Sequence, residues 1–323
     1  MPHAVRIHSP GGPEALVYED VAVGAPGPGE ARVRHTAIGV NFIDTYHRSG
    51  LYTLPLPSGI GSEAAGVVEA VGSGVDWVKP GDRVAYSGGA PGAYATDRLI
   101  PAERLVKLPE AIDERTAATL MLKGFTVQYL FRQTYRLQGG ETILFHAAAG
   151  GVGSIACQWA RALDVTMIGT VGSDEKAALA KSNGCAHTIV YTRENFVERV
   201  KAITGKGVPV VYDGVGKDTF PASLDCLQPR GLFVSFGNSS GSVPPFNLMM
   251  LSQKGSLYAT RPTLVTYTTT RASISAMADE LFGLVLSGKI KSSPSQTFPL
   301  KDAAAAHCAL ESRQTTGATV LLP

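Results

Sequence analysis

The sequence predicts an α/β protein, a doubly wound parallel sheet joined to a second, β-rich domain. Three observations carry this expectation. A short apolar strand, Thr142-Ile-Leu-Phe145, runs into a glycine-rich turn, Ala147-Ala-Ala-Gly-Gly-Val-Gly153, and then into a helical period. Apolar strand runs and amphipathic helix patterns alternate from there to Phe236, the pattern of a parallel sheet with helices on both faces. The first ~120 residues have a different texture: alternating strands are broken by Gly11-Gly-Pro13, Pro26-Gly-Pro-Gly29 and Pro80-Gly-Asp82.

Each element has its own signal. In the β-rich part, Ala31 to Ile38 alternates, Glu63 to Gly72 is apolar with glycines, and Asp82 to Tyr86 follows a tight turn. A helical stretch, Asp113 to Arg132, leads into the sheet. Past Gly153, Ile155, Trp159 and Leu163 recur every four residues with Ala156 and Ala160 beside them, a helix period. Val165 to Thr170 reads as the next strand, and Asp174 to Asn183 as a helix stopped by Asn183-Gly184. Thr188 to Tyr191 is a third strand, and Phe196, Val197, Val200 and Ile203 mark a third helix. Val208 to Tyr212, Leu232 to Phe236 and Ser256 to Thr260 complete the sheet. A helix from about Ser273 to Leu286 precedes short strands ending in Ala318-Thr-Val-Leu-Leu322. The expected layout is discontinuous: 1–124 and 262–323 form the β-rich catalytic domain, and 125–261 the dinucleotide-binding domain, with a cleft between them.

The chain has 323 residues, enough for two domains and a substantial core. A net charge of +2 leaves no basic footprint for nucleic acid or a membrane surface. The N-terminal residues lack a signal-peptide apolar core, and no run approaches a membrane span, so the expected location is the cytoplasm. Four cysteines, at 157, 185, 226 and 308, follow no motif spacing; they read as small buried hydrophobes in a reducing compartment.

A strand, a glycine turn and a helix place a pyrophosphate on free helix N–H groups. Read as G-x-G-x-x-G, the motif runs Ala148-Ala-Gly150-Gly-Val-Gly153, with Ala in the first place. The bland alternative is a glycine turn between a buried strand and helix. The strands and helices that follow favour a dinucleotide held by Gly150, Gly151, Val152 and Gly153.

These residues together resemble the medium-chain dehydrogenase/reductase superfamily, and most closely its zinc-free branch, the NADPH:quinone oxidoreductases related to zeta-crystallin. The carriers are Asn41-Phe-Ile-Asp-Thr-Tyr-His-Arg-Ser-Gly-Leu-Tyr52, Gly61-Ser-Glu-Ala-Ala-Gly66, Lys79-Pro-Gly-Asp-Arg-Val84, Ala147 to Gly153 and Phe236-Gly-Asn-Ser-Ser-Gly241. The resemblance covers nearly the whole chain. It implies a Rossmann-type sheet, a GroES-like β-rich domain and a glycine motif that begins with Ala. Where the superfamily's alcohol dehydrogenases place a zinc histidine in Gly-His-Glu, this chain has Gly61-Ser62-Glu63, and no cysteine precedes residue 157. His3, His8 and His35 fall in strands and form no ligand spacing. No metal is expected.

An acid about 20 residues past the glycine motif usually marks an NAD site. That position falls on Ser173, in Gly172-Ser-Asp-Glu-Lys176. Ser173 reads as an N-cap, and Asp174 and Glu175 as first-turn acids that favour the helix dipole. Lys176 is either a solvated helix charge or a partner for a 2′-phosphate; the resemblance implies the second, with Ser173, and hence NADPH. Tyr191 can add a hydroxyl to the same phosphate or stand as a plain surface tyrosine.

Hydride delivery to a quinone develops negative charge on oxygen, which needs hydrogen-bond donors and a dry pocket rather than a metal. Candidate donors are Asn41, Thr45, Tyr46 and Tyr52. The resemblance implies that Asn41 and Tyr46 line the nicotinamide end of the cofactor. Asn41 also reads as a turn former, Tyr46 as an interface tyrosine with its hydroxyl solvated, and Asp44 as a polar loop residue. Thr126 opens the second domain's contacts. Phe236, Gly237 and Asn238 lie at the carboxyl edge of the sheet, where such sheets bind ligands. Arg261 either closes the pocket or pairs with a surface acid. Quinone reduction and reduction of an α,β-unsaturated carbonyl make the same demands.

Gly237-Asn-Ser-Ser-Gly241 matches the hydrolase G-x-S-x-G, with Asp279 or Asp302 and His307 following, but Pro244-Pro245 prevents the helix that the elbow needs. A structural crystallin-like or RNA-binding role lacks a basic stripe to support it. Gly255 to Thr260 is expected at a sheet edge with no proline or charge inside it, which suits a two-fold homodimer through the strand 255–260. The alternative is a monomer whose edge is covered by its own 241–250 loop.

Overall fold

A computed structural model describes residues 1–312 and 315–323. The chain forms two compact units. The first comprises Met1–Phe125, Tyr267–Ser287 and Ser292–Pro323, and the second Thr126–Thr266 and Gly288–Lys291.

In the first unit, the strand Glu30–Val40 alternates as its sequence suggests, with Ala31, Val33, His35 and Ala37 turned inward. It is the hub of a seven-stranded sheet among the described residues. Glu63–Val71 pairs with it antiparallel on one side, and Ala318–Leu322 on the other, placing Val320 opposite Gly39. Val33, Ile38, Ile60, Val84 and Tyr94 fill the core beneath. The hub strand ends at Asn41, which caps helix α1 (Phe42–Ser49) in an extended conformation. Helix α2 (Glu114–Tyr129) occupies the predicted helical stretch; from Thr126 its residues belong to the second unit, where it continues as a π-helical turn, Leu130–Thr134, which the sequence does not signal.

In the second unit, six parallel strands take the order His187–Val190, Thr166–Val171, Thr142–Phe145, Val208–Asp213, Leu227–Ser235, Tyr258–Thr260 among the described residues. The order steps outward on both sides of Thr142–Phe145, the doubly wound arrangement with its switch point at the first strand. Strand interiors such as Ile143, Leu144, Met167 and Ile168 are wholly buried, because helices cover both faces of a parallel sheet. The helices α3 (Gly151–Ala162), α4 (Asp174–Ser182) and α5 (Phe196–Thr204) follow successive strands. Residues 288–291 belong to this unit because buried Gln158 of α3 exchanges two hydrogen bonds with the backbone of Lys291.

Several boundaries differ from the sequence reading; the strand read as Leu232 to Phe236 runs instead from Leu227 to Ser235. The last strand begins at Tyr258, not Gly255, since Ser256 is left-handed (φ +57°) and Leu257 N–H turns to Leu251 O. Tyr191 lies one residue beyond its strand, where Arg193 N–H and Glu194 N–H fold back onto Val190 O. His8 likewise stands one residue past the strand His3–Ile7. Cys157, Cys185 and Cys226 are buried free thiols as expected, but Cys308 is exposed. Cys226 closes the 3-10 helix Ala222–Cys226.

Candidate functional site

The glycine turn is held from both sides. His146 N–H bonds to Tyr212 O and Ala148 N–H to Thr170 O, so the turn is tied to the strands flanking Thr142–Phe145. Ala147 is left-handed (φ +58°), a conformation that costs an alanine on the order of 1 kcal/mol. Gly150 N–H closes the turn on Ala147 O at 3.0 Å. Gly150 then caps α3 with no side-chain hydrogen bond, so no side chain occupies the cap of this helix. A Cβ on Gly153 would lie 2.3 Å from Ala147 O, so only glycine lets the helix approach the strand this closely. These features fit a pyrophosphate cradle.

Beneath the turn lies a buried polar cluster that the sequence reading missed. Ser223 Oγ donates to Asp213 Oδ2 at 3.1 Å and is 3.0 Å from His146 Nε2. Ser223 Oγ also reaches Thr219 O at 3.1 Å, and His146 Nδ1 lies 2.9 Å from Thr170 Oγ1. Burial holds His146 below the usual histidine range. Asp213 Oδ1 accepts from Val215 and Gly216 N–H. The carboxyl ends of three strands are thereby locked together.

Along this edge, Phe236 N–H bonds to Asp213 O and its ring packs on Phe145, with Gly237 and buried Asn238 following. Arg261 donates to Ser235 O at 2.9 Å. Thr126 is buried on α2. At the next turn, Ser173 caps α4 by accepting Lys176 N–H at 3.3 Å, as its position predicts. Tyr191 is half-exposed, with its hydroxyl 2.9 Å from where a Cβ on Gly172 would stand. Asp174 does more than favour the helix dipole: both oxygens are gripped by Arg193, a residue the sequence reading did not single out.

In the first unit the Asn41–Tyr52 segment is ordered by two buried acids, Asp44 and Glu63. Asn41 is no simple turn residue; its Nδ2 donates to Glu63 Oε2 at 2.9 Å. Glu63, wholly buried, also accepts from Leu122 N–H at 2.8 Å and from Lys123 Nζ at 3.2 Å. Asp44 is not a polar loop residue. It sits wholly buried in the first turn of α1, and Asn41 N–H (2.9 Å) and Tyr94 O–H (3.1 Å) both donate to its Oδ2. Ser62 O–H donates to its Oδ1 at 3.0 Å. Burial raises its carboxyl to about 7, against the pull of these donors.

The chain of bonds continues behind Tyr94, and its direction can be worked out. Arg48 Nη1, which can only donate, is 3.1 Å from His307 Nδ1, so the imidazole proton is on Nε2 and points to Tyr94 Oη at 3.0 Å. Arg48 is fixed in turn by a two-pronged contact with Glu311. Burial, then Arg48, pushes His307 down to about 3. Every donor in this chain therefore points toward Asp44.

Tyr46 is buried, not solvated, and meets the Tyr52 ring edge-on at 5.4 Å. The Thr45 hydroxyl is committed to Phe42 O at 2.8 Å, which removes it from the candidate donors. The hydrolase reading fails on two counts. No helix follows Ser239 before Leu248, and both ring nitrogens of His307 are engaged within the first unit. No group of three or more His, Cys, Asp or Glu among the described residues has the geometry to hold a metal ion.

Known sequences fit this architecture. The family described as "Alcohol dehydrogenase GroES-like domain" matches residues 27–110, and "Zinc-binding dehydrogenase" matches 151–281. A quinone oxidoreductase of Pseudomonas aeruginosa is 60% identical, with 100% of both chains covered. The chain belongs to the quinone oxidoreductase family of medium-chain dehydrogenases/reductases. A family member from Escherichia coli, solved in complex with NADPH, superposes with a TM-score of 0.98 at 54% identity, covering 99% of this chain and 100% of that one. A 2-haloacrylate reductase from Burkholderia is also similar, at 50% identity over 99% of this chain and 98% of its own. The resemblance read from Asn41–Tyr52 and the glycine motif is thus confirmed, as is the fold class. Among the described residues, no helix is long and apolar enough to cross a membrane.

Proposed function

We propose that this chain is an NADPH-dependent quinone oxidoreductase. What carries the reading is the end-to-end match to the quinone oxidoreductase solved with NADPH, on a chain whose own glycine turn is shaped for a pyrophosphate. Gly150, Gly151, Val152 and Gly153 would hold the pyrophosphate, and Ser173, Lys176 and Tyr191 would hold the 2′-phosphate. In the second unit Thr126, Phe236, Gly237, Asn238 and Arg261 would contact the cofactor, and in the first unit Asn41 and Tyr46 would contact its nicotinamide end. When bound, the dihydronicotinamide supplies the hydride.

The chain's own residues then handle charge and water. The acceptor gains two electrons and needs a donor at its oxygen and a proton to finish as a hydroquinone. Tyr46 and Tyr52 are the donors, and their edge-to-face packing restricts where their hydroxyls point. Asn41 is held by its bond to Glu63, and Glu63 by Lys123. The Asp44 network fixes the start of α1 and so the helix that presents Tyr46.

The similarity to a 2-haloacrylate reductase supports a second reading, reduction of a conjugated acid or carbonyl. The test is a panel of quinones, enones and haloacrylates at fixed NADPH. Faster turnover of quinones supports the first reading, and a clear preference for the others replaces it. The free thiols suit a reducing cytoplasm. A homodimer through the sheet edge is proposed as well. Tyr258–Thr260 lies at the edge, and Tyr258 is exposed there.

A further inference from the structure

The segment after the strand His187–Val190 grips the turn after Thr166–Val171 residue by residue. Tyr191 N–H donates to Val171 O at 3.1 Å, and the Thr192 hydroxyl to Gly172 O at 3.3 Å. Arg193 closes the series on Asp174, Nη1 to Oδ2 at 2.6 Å and Nη2 to Oδ1 at 2.5 Å. Glu194 does not compete for the guanidinium. It accepts from Val190 N–H at 2.9 Å and pairs with Arg199.

Both members of the Asp174–Arg193 pair are exposed, with side chains 66% and 57% accessible. Such a pair adds little to folding. What it changes is the local charge at the turn that ends in Ser173 and Lys176. An acid about 20 residues past the glycine motif is the group that grips the ribose diol of an unphosphorylated cofactor. Asp174 stands almost at that position, beside the N-cap Ser173. Left unpaired, its carboxylate would accept from a 2′-hydroxyl and repel a 2′-phosphate.

We infer that Arg193 is a specificity-determining residue that acts through Asp174. By chelating the carboxylate, it withdraws the group that would hold a ribose diol and cancels the charge that would oppose a 2′-phosphate. This deepens the NADPH reading above and rests on it. A guanidinium suits the task because its planar fork takes both carboxylate oxygens at once, which an ammonium cannot do.

The test is a set of titrations of the full chain with NADPH and with NADH. It compares wild type, Arg193→Ala, Asp174→Ala, the double variant and Arg193→Lys. Arg193→Ala should weaken NADPH binding by about three- to tenfold at low salt, and less at high salt. NADH binding should hold or tighten. Removing Asp174 as well should restore most of the lost NADPH affinity, and Arg193→Lys should fall between wild type and Arg193→Ala. Equal weakening toward both cofactors would overturn the inference, as would a double variant as weak as Arg193→Ala, because Arg193 would then act without Asp174. A wild-type chain with no preference for NADPH would overturn the cofactor reading itself. A preference that survives Arg193→Ala intact would overturn this inference alone.

Discussion

Replacing Asp44 by Asn tests whether a buried acid is kept neutral inside the first unit. The carboxyl is raised from 3.8 to about 7, chiefly by burial. Below pH 3.8 it is protonated both folded and unfolded, and its contribution to stability is fully present. As pH rises, the unfolded chain ionises first, and the contribution is lost by the time pH passes 7. A difference of about three units at ~1.36 kcal/mol each is roughly 4 kcal/mol. Asparagine fits the same place: its carbonyl oxygen takes Asn41 N–H and Tyr94 O–H, and its amide nitrogen faces Ser62 Oγ. The assay is denaturant unfolding of both proteins from pH 3.8 upward past 7. His307 and His35 titrate in the opposite sense, contributing stability above 6.5 that is lost toward about 3 and about 4. Both are common to the two proteins and cancel in the difference. Asp44→Asn should gain on wild type by roughly 4 kcal/mol across this range. A difference that does not change with pH would refute the reasoning.

Lys176→Ala should cost NADPH about ten- to a hundredfold in affinity and leave NADH nearly unchanged, since a charge-assisted contact is worth about 1.5–3 kcal/mol; equal losses in titrations with both would reject the phosphate assignment. Lys123→Met strands the buried Glu63 charge and should lower unfolding stability by about 3–5 kcal/mol. Adding Glu63→Gln should recover most of that loss, and a Lys123→Met protein of wild-type stability would show that the pair carries no buried charge. At the sheet edge, Tyr258→Lys should convert a dimer to a monomer in light scattering. A wild-type monomer at micromolar concentration would end the edge-pairing proposal. Leu257 is unsuitable for that test, because its N–H already bonds to Leu251 O within the chain.

What the sequence revealed was governed by distance along the chain. Strands buried on both faces appear as apolar runs such as Ile143–Phe145, and helices as periods such as Ile155, Trp159 and Leu163, so the doubly wound sheet was readable. The Ser173 cap was readable for the same reason, since it is completed three residues away at Lys176. The network around Asp44 was not. Its links join residues 50, 213 and 259 positions apart, and nothing local at Tyr94 or His307 announces them. Asp44 stands among Asn41, Thr45 and His47 and so reads as surface. The one local hint was an acid three residues after an Asn cap, the pattern of a capping box. Arg193 was hidden likewise, since an ion pair across 19 positions leaves no period in the sequence. The shortened edge strand turned on the left-handed backbone at Ser256, which a non-glycine residue does not advertise.

The most direct test of the central claim is a single turnover. Purified protein, stripped with a strong chelator, is mixed with one equivalent of NADPH and then with a simple quinone. The account predicts that reduced nicotinamide disappears in step with hydroquinone formation, at a rate that added zinc does not raise. NADPH left unoxidised in the presence of the quinone, or oxidation that returns only when zinc is restored, would contradict it.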